Sequence, residues 1–133
     1  MADYLSQSFD FGVRIIMMSE WMKQEGKEFP LIQRLLECGA GLCVSMRVAE
    51  ALNDRSIRVQ AFQQIEEAEC LLELMVKAGF LTELQSKPLL FDCNAIKEKI
   101  KELLGVSLDI QQKQKGGRRV KKYQDGDSWP DAQ

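Results

Sequence analysis

Apolar residues recur at intervals of three and four along most of the chain, and this helical period constrains its fold more than any other feature. The pattern predicts four amphipathic helices, from about Phe9 to Gln24, Pro30 to Leu52, Ser56 to Ala78, and from Ser86 to about Leu103. No segment shows the strict alternation that indicates a strand. With their short connections, these segments predict an all-α fold, an antiparallel up-down four-helix bundle.

The first predicted helix carries two apolar stripes. The first stripe is Phe9, Val13, Ile16 and Met17, and the second is Phe11, Ile15, Met18 and Met22. A helix that is apolar on two sides has more surface than one neighbouring layer covers. Two interpretations stay open: the helix lies in the middle of a core, or it contributes to a subunit interface. For the second interpretation, we assign the interface to the second stripe.

Polar residues and prolines indicate where the helices begin. Ser8 is the predicted N-cap of the first helix. Thr82 and Gln85 have the spacing of a capping box. Pro88, however, favours a later start of the fourth helix, with Ser86 as its N-cap and the proline in the first turn.

Glycines indicate helix ends and one close contact. Gly26 and Gly79 follow the first and third helices, where a residue that tolerates a positive φ is favoured. The run Gly39-Ala40-Gly41 lies inside the second helix, where each glycine costs about 1 kcal/mol relative to alanine. Small residues allow a second backbone to approach closely, and the alternative is a local kink.

The residue types argue against catalysis and metal binding. The chain has no histidine, the usual general base near neutral pH and the commonest zinc ligand. Its four cysteines, Cys38, Cys43, Cys70 and Cys93, lack zinc-site spacing, and we predict that they are reduced, buried apolar residues. We therefore predict neither a metal nor a cofactor.

The remaining enzyme signals are weak. No nucleophile–base pair or phosphate-binding loop is visible, so we expect a protein without enzymatic activity. A run of carboxylates in the third helix is predicted to be a solvated face: Glu66, Glu67, Glu69 and Glu73. There is no apolar run of about 18 residues and no secretory signal pattern, so we predict a cytoplasmic protein.

The C-terminal sequence is strongly basic. Residues 1–110 hold 12 Lys and Arg against 17 Asp and Glu, a net charge of −5, and we predict that they form the bundle. Residues 111–133 lack apolar periodicity and are predicted to be a flexible basic arm. Six cations and an adjacent aromatic residue are candidate nucleic-acid contacts: Lys113, Lys115, Arg118, Arg119, Lys121, Lys122 and Tyr123. Arg47, Arg55 and Arg58 are candidates to extend this surface onto the bundle.

Three stretches resemble a known family. FDFGVRI, GKEFPLIQRLLECGAGL and AFQQIEEAECLLELMVKAGFLTE are similar to the bacterial four-helix bundles encoded in intervening sequences of 23S rRNA genes, the S23-type family. The resemblance covers about residues 9–104. The polar Asn and Glu of the family's second helix fall on Ser45 and Val48 here, so no site is carried over.

The resemblance implies a homopentamer without established enzymatic activity. A related group, the accessory proteins of diversity-generating retroelements, shares the pentameric barrel and works with a reverse transcriptase and its RNA. The expected function is therefore that of an oligomeric accessory protein that binds RNA or DNA through its arm. The alternatives are a protein-interaction scaffold, in which the acidic segment DGDSWPDAQ around Trp129 docks on a partner, and a solvated tail that only aids solubility.

Overall fold

The computed structural model describes residues 3–105, and these form four α-helices. Helix α1 spans Asp3–Gln24, α2 Ile32–Leu52, α3 Arg55–Lys77 and α4 Glu83–Leu104. Helices α1 and α3 each pack on α2 and α4, so they occupy opposite corners of the bundle. The predicted all-α four-helix bundle is confirmed. The predicted domain boundary at residue 110 and the basic arm lie outside the described residues.

The two stripes of α1 have different roles in the bundle. The second stripe points inward: Phe11, Ile15 and Met22 are buried within the same chain, and Met18 packs half-buried against the core. The interface assignment of Phe11, Ile15, Met18 and Met22 is therefore corrected, because these side chains already fill the space between the helices. The first stripe is exposed, and we call it the α1 ridge: Phe9, Val13, Ile16 and Met17.

Glycines bring the backbone of α2 close to both of its neighbours. A Cβ added to Gly12 of α1 would lie 2.8 Å from the Cys43 Sγ of α2. A Cβ added to Gly39 would lie 3.6 Å from the Ile15 side chain of α1, and one on Gly41 would lie 2.6 Å from the Gln64 Nε2 of α3. A Cβ on Gly12 would also lie 3.6 Å from the Gly39 carbonyl oxygen, so the backbones of α1 and α2 approach closely at Gly39, as predicted. Gly41 instead faces the end of a flexible side chain.

Helix α1 begins earlier than predicted. It starts at Asp3, and Ser8 lies inside it with its hydroxyl donating to the Leu5 carbonyl at 3.1 Å. The predicted N-cap role of Ser8 is therefore wrong. Gly26 and Gly79 end α1 and α3 with φ angles of 73° and 88°, as their positions predicted.

Helix α4 begins with the capping box. The Gln85 backbone N–H donates to Thr82 Oγ1 at 3.0 Å, and the Thr82 N–H donates to Gln85 Oε1 at 2.9 Å. Ser86 is buried inside the first turn, where its hydroxyl donates to the Glu83 carbonyl, so its predicted N-cap role is wrong. Pro88 lies within the helix. Among residues 3–105, no helix has the length and apolarity needed to cross a membrane.

Candidate nucleic-acid interface

The last described residues lie at one definable end of the bundle. Tyr4 near the start of α1 hydrogen-bonds Glu50 near the end of α2, and Arg55 at the start of α3 contacts Leu104 at the end of α4. We call this the arm end, because Gly105 lies there and residues 106–133 continue from it. The predicted arm residues lie outside the described range: Lys113, Lys115, Arg118, Arg119, Lys121, Lys122 and Tyr123.

Arg55 lies beside the end of α4, where the described residues end. Its Nη1 donates to the Leu104 carbonyl at 2.8 Å, one of the last carbonyls of α4 and without a partner in the helix itself. The side chain is exposed and pairs with no carboxylate within residues 3–105. A cation favours the negative end of a helix dipole. Arg55 therefore stabilises the end of α4 while its charge faces solvent.

Arg58 is held within the bundle. Its Nη2 donates to Asn53 Oδ1 at 3.0 Å, and its Nη1 lies 3.8 Å from Glu50 Oε1. Only 11% of its side chain is exposed. The guanidinium is largely neutralised there, so the structure supports a structural role for Arg58 rather than the predicted phosphate contact.

Arg47 lies on a different surface from the other two arginines. It is an exposed residue of α2, and it lines a shallow groove of about 290 Å³ together with Leu5, Phe9 and Asp10 of α1. Asp10 supplies a negative charge to the same groove. The structure therefore brings Arg55 and Arg58 together at the arm end and places Arg47 beside the α1 ridge.

Sequence reasoning missed one aromatic group at the arm end. Tyr4 is buried, and its hydroxyl donates to Glu50. Burial and the nearby Glu50 carboxylate raise the pKa of the Tyr4 phenol. Lys99 of α4 lies over the ring, with Nζ 5.8 Å from its centroid. Tyr4 precedes the apolar repeat at Phe9, so no periodic signal in the sequence marked it.

The carboxylates of α3 serve as counter-ions. Lys97 of α4 is buried, with its Nζ 2.5 Å from Glu69 Oε1 and 3.5 Å from Glu66 Oε2. Burial lowers the Lys97 pKa, but the two carboxylates outweigh it, and the pKa is raised. Glu67 pairs with Arg34 of α2. The predicted solvated face is therefore corrected, since three of its carboxylates form ion pairs with neighbouring helices.

The cysteines differ in burial. Cys38 and Cys93 are buried as predicted, Cys43 is half-buried, and Cys70 is exposed, contrary to prediction. Burial, with a contribution from Glu67, raises the pKa of the Cys38 thiol to about 11, and burial also raises the pKa values of Cys43 and Cys93. Within residues 3–105, no cluster of three or more potential ligands is arranged to hold a metal ion.

The comparisons with known proteins support the fold. No protein-family model matches the sequence. No curated protein matches it either. A crystal structure of a protein of unknown function from the S23 ribosomal protein family of Bacteroides thetaiotaomicron is similar, with a TM-score of 0.71 and 23% identity. The match covers 76% of this chain and 97% of that chain. The two proteins therefore share the four-helix bundle fold.

Proposed function

We propose that this chain is a non-enzymatic, cytoplasmic accessory protein of the S23-type family, and that it binds RNA or DNA as an oligomer, most simply a homopentamer. One observation carries the proposal: the described chain ends beside the exposed Arg55 guanidinium, and the sequence that follows holds six cations between Lys113 and Lys122. No acidic residue interrupts that stretch. Such a concentration of cations suits contact with phosphates.

The distance between Arg55 and the arm suits a shared strand. The eight residue steps from Gly105 to Lys113 span at most about 28 Å. One nucleic-acid strand can therefore contact Arg55 and the first arm cations together. Tyr123 directly follows the last cation and offers a ring on which any exposed base can stack. This arrangement favours single strands and requires no reading of sequence.

The charge of the bundle makes binding depend on the arm. Residues 1–110 carry a net charge of −5, which repels phosphates. Several copies joined in one oligomer would present several arms to one strand, and this raises the effective concentration of each arm. The exposed apolar ridge on α1 supports such an assembly.

The second candidate function is a scaffold that docks on a protein, for example a reverse transcriptase. It is favoured by Trp129, which stands in the acidic segment DGDSWPDAQ after the cations. An exposed tryptophan is a frequent anchor at protein interfaces. The two candidates use different parts of the arm, so truncation separates them.

The test compares three chains: the full-length protein, a chain ending at Lys122, and a chain ending at Ile110. Each is titrated with fluorescent single-stranded RNA and DNA at several salt concentrations. For the first two chains, we expect affinity for a single strand to fall by about 300-fold between roughly 50 and 200 mM salt if all six cations are engaged. The chain ending at Ile110 should bind weakly and show a shallow salt dependence.

Single substitutions test whether the bundle itself contributes to nucleic-acid binding. Arg55→Gln should reduce the salt slope of full-length protein by about one, whereas Lys23→Gln, a cation at the far end of α1, should leave it unchanged. Equal affinity and equal slope for the full-length and Ile110 chains would overturn the nucleic-acid role. Binding of a protein partner that is lost on ending the chain at Lys122 would favour the scaffold.

A further inference from the structure

An apolar groove runs between α3 and α4, at the end of the bundle opposite the arm end. Its volume is about 660 Å³. Its apolar lining comes from Cys70, Leu74 and Val76 of α3 and from Leu90 of α4. Four charged side chains also line it: Glu73, Lys77, Glu83 and Lys87. Leu74 is 46% exposed. We call this surface the α3–α4 groove.

The α1 ridge is the complementary shape on the same chain. Phe9 is 52% exposed, Ile16 53% and Met17 65%, although all three are apolar. The ridge extends over eight residue steps and so measures about 12 Å along the helix, while the groove wall from Cys70 to Lys77 measures about 10 Å. The two surfaces therefore match in chemistry and in length.

The ridge cannot fill the groove of its own chain. Helix α1 packs on α2 and α4, and it occupies the corner opposite α3. The ridge points outward from that corner, away from the bundle axis, and the groove opens on the side formed by α3 and α4. Only another molecule can bring the two surfaces together.

We propose that the α1 ridge of one copy occupies the α3–α4 groove of a second copy, so that the copies join head to tail. The inference rests on the oligomeric function proposed above and identifies its two contact surfaces. A second copy fits both surfaces because each copy supplies the counterpart that the other lacks, and both apolar surfaces are exposed in a single chain. A head-to-tail contact uses two different patches on every copy.

Two substitutions on opposite sides of the contact test the proposal. Ile16→Asp disables the ridge and leaves the groove, whereas Leu74→Asp disables the groove and leaves the ridge. Both positions are about half exposed, so the fold should tolerate them, and far-UV circular dichroism checks this. A carboxylate is costly to bury in an apolar contact. By light scattering, each variant alone should have the monomer mass of 15.2 kDa.

Mixing the two variants gives the decisive result. An equimolar mixture retains one intact ridge and one intact groove per pair, so it should form a heterodimer of twice the 15.2 kDa chain mass. Leu52→Asp, a control at an exposed leucine outside both surfaces, should keep the mass of the unaltered protein. If the ridge instead packs on the ridge of a partner, Leu74→Asp will keep that mass and mixing will produce no heterodimer, and the proposal is overturned.

Cys70 supplies an independent readout from inside the groove. A maleimide reagent should label it slowly in the unaltered oligomer and at least several-fold faster in the Ile16→Asp monomer, although that substitution lies on the other side of the contact. Equal labelling rates, or an unaltered protein that is monomeric, would overturn the contact. Nucleic-acid binding by the Ile16→Asp monomer is titrated separately, so loss of the contact and loss of the arm's function are distinguishable.

Discussion

Replacing Ile15 or Ile16 with alanine makes the same chemical change at adjacent positions of α1 and tests which side forms the core. Ile15 is 1% exposed and lies beside Gly39, where an added Cβ would be 3.6 Å from the isoleucine side chain. The change removes three buried carbons, a loss of about 2.4 kcal/mol by transfer alone. Gly39 has no side chain to move into the space, so the cavity raises the expected loss of unfolding free energy to about 3–4 kcal/mol.

The expected effect at Ile16 is smaller and of a different kind. In a single chain about half of its surface is in water, so Ile16→Ala should lower the free energy of unfolding by about 1 kcal/mol, and the better helix propensity of alanine offsets part of that loss. If the α1 ridge lies in a groove of another copy, the loss grows as the protein concentration rises, because association stabilises the folded chain.

Urea denaturation followed by far-UV circular dichroism, repeated at several protein concentrations, measures both effects. Ile15→Ala should shift the midpoint to lower urea at every concentration, without a change in the dependence on denaturant. The shift for Ile16→Ala should shrink on dilution. Equal losses for the two variants in dilute protein would refute the assignment of the core to the stripe that contains Ile15.

Two further substitution and labelling experiments follow from the helix ends and the thiols. Thr82→Ala removes the hydroxyl that accepts from the Gln85 N–H and so breaks the reciprocal capping box. It should lower the free energy of unfolding by about 1 kcal/mol. An unchanged urea midpoint would contradict this. In the Ile16→Asp monomer near pH 8, iodoacetamide should modify Cys70 first and Cys93 last, because Cys93 is buried and its raised pKa keeps it protonated. Peptide mass mapping over time gives the order, and early modification of Cys93 would show that its burial is wrong.

Helical periodicity was sufficient to predict the bundle because each helix buries one regular face. The buried series through Leu35, Leu42 and Met46 and the series through Leu89, Ile96 and Ile100 have the predicted spacing. The ends of α1 and α3 were predictable as well, since Gly26 and Gly79 adopt the positive φ that their positions favoured. These signals are local, and so a single sequence contains them.

Choices that depend on neighbouring helices were not predictable. The two stripes of α1 are equally apolar, and the stripe that lies inward is the one beside Gly12, where α2 approaches closely. The start of α1 depends on Tyr4, whose partners Glu50 and Lys99 are distant in sequence. The same limit applies to the candidate interface. Arg55 and Arg58 have different roles because Glu50 pairs with Arg58 alone, and Asn53 accepts a hydrogen bond from it.

The start of α1 and the end of α4 both lie at the arm end, which makes the bundle a candidate for circular permutation. Asp3 begins α1 where Leu104 ends α4, so a short linker can join the two positions, as is common for domains with neighbouring termini. Opening the chain at Gly26, where no atom lies within 4 Å of an added Cβ, would place new termini at the opposite end. The basic sequence would then follow the new C-terminus. Because a helix of 22 residues spans about 33 Å, that sequence would begin about this distance from Arg55. The position of the arm can thus be changed while its charge stays the same.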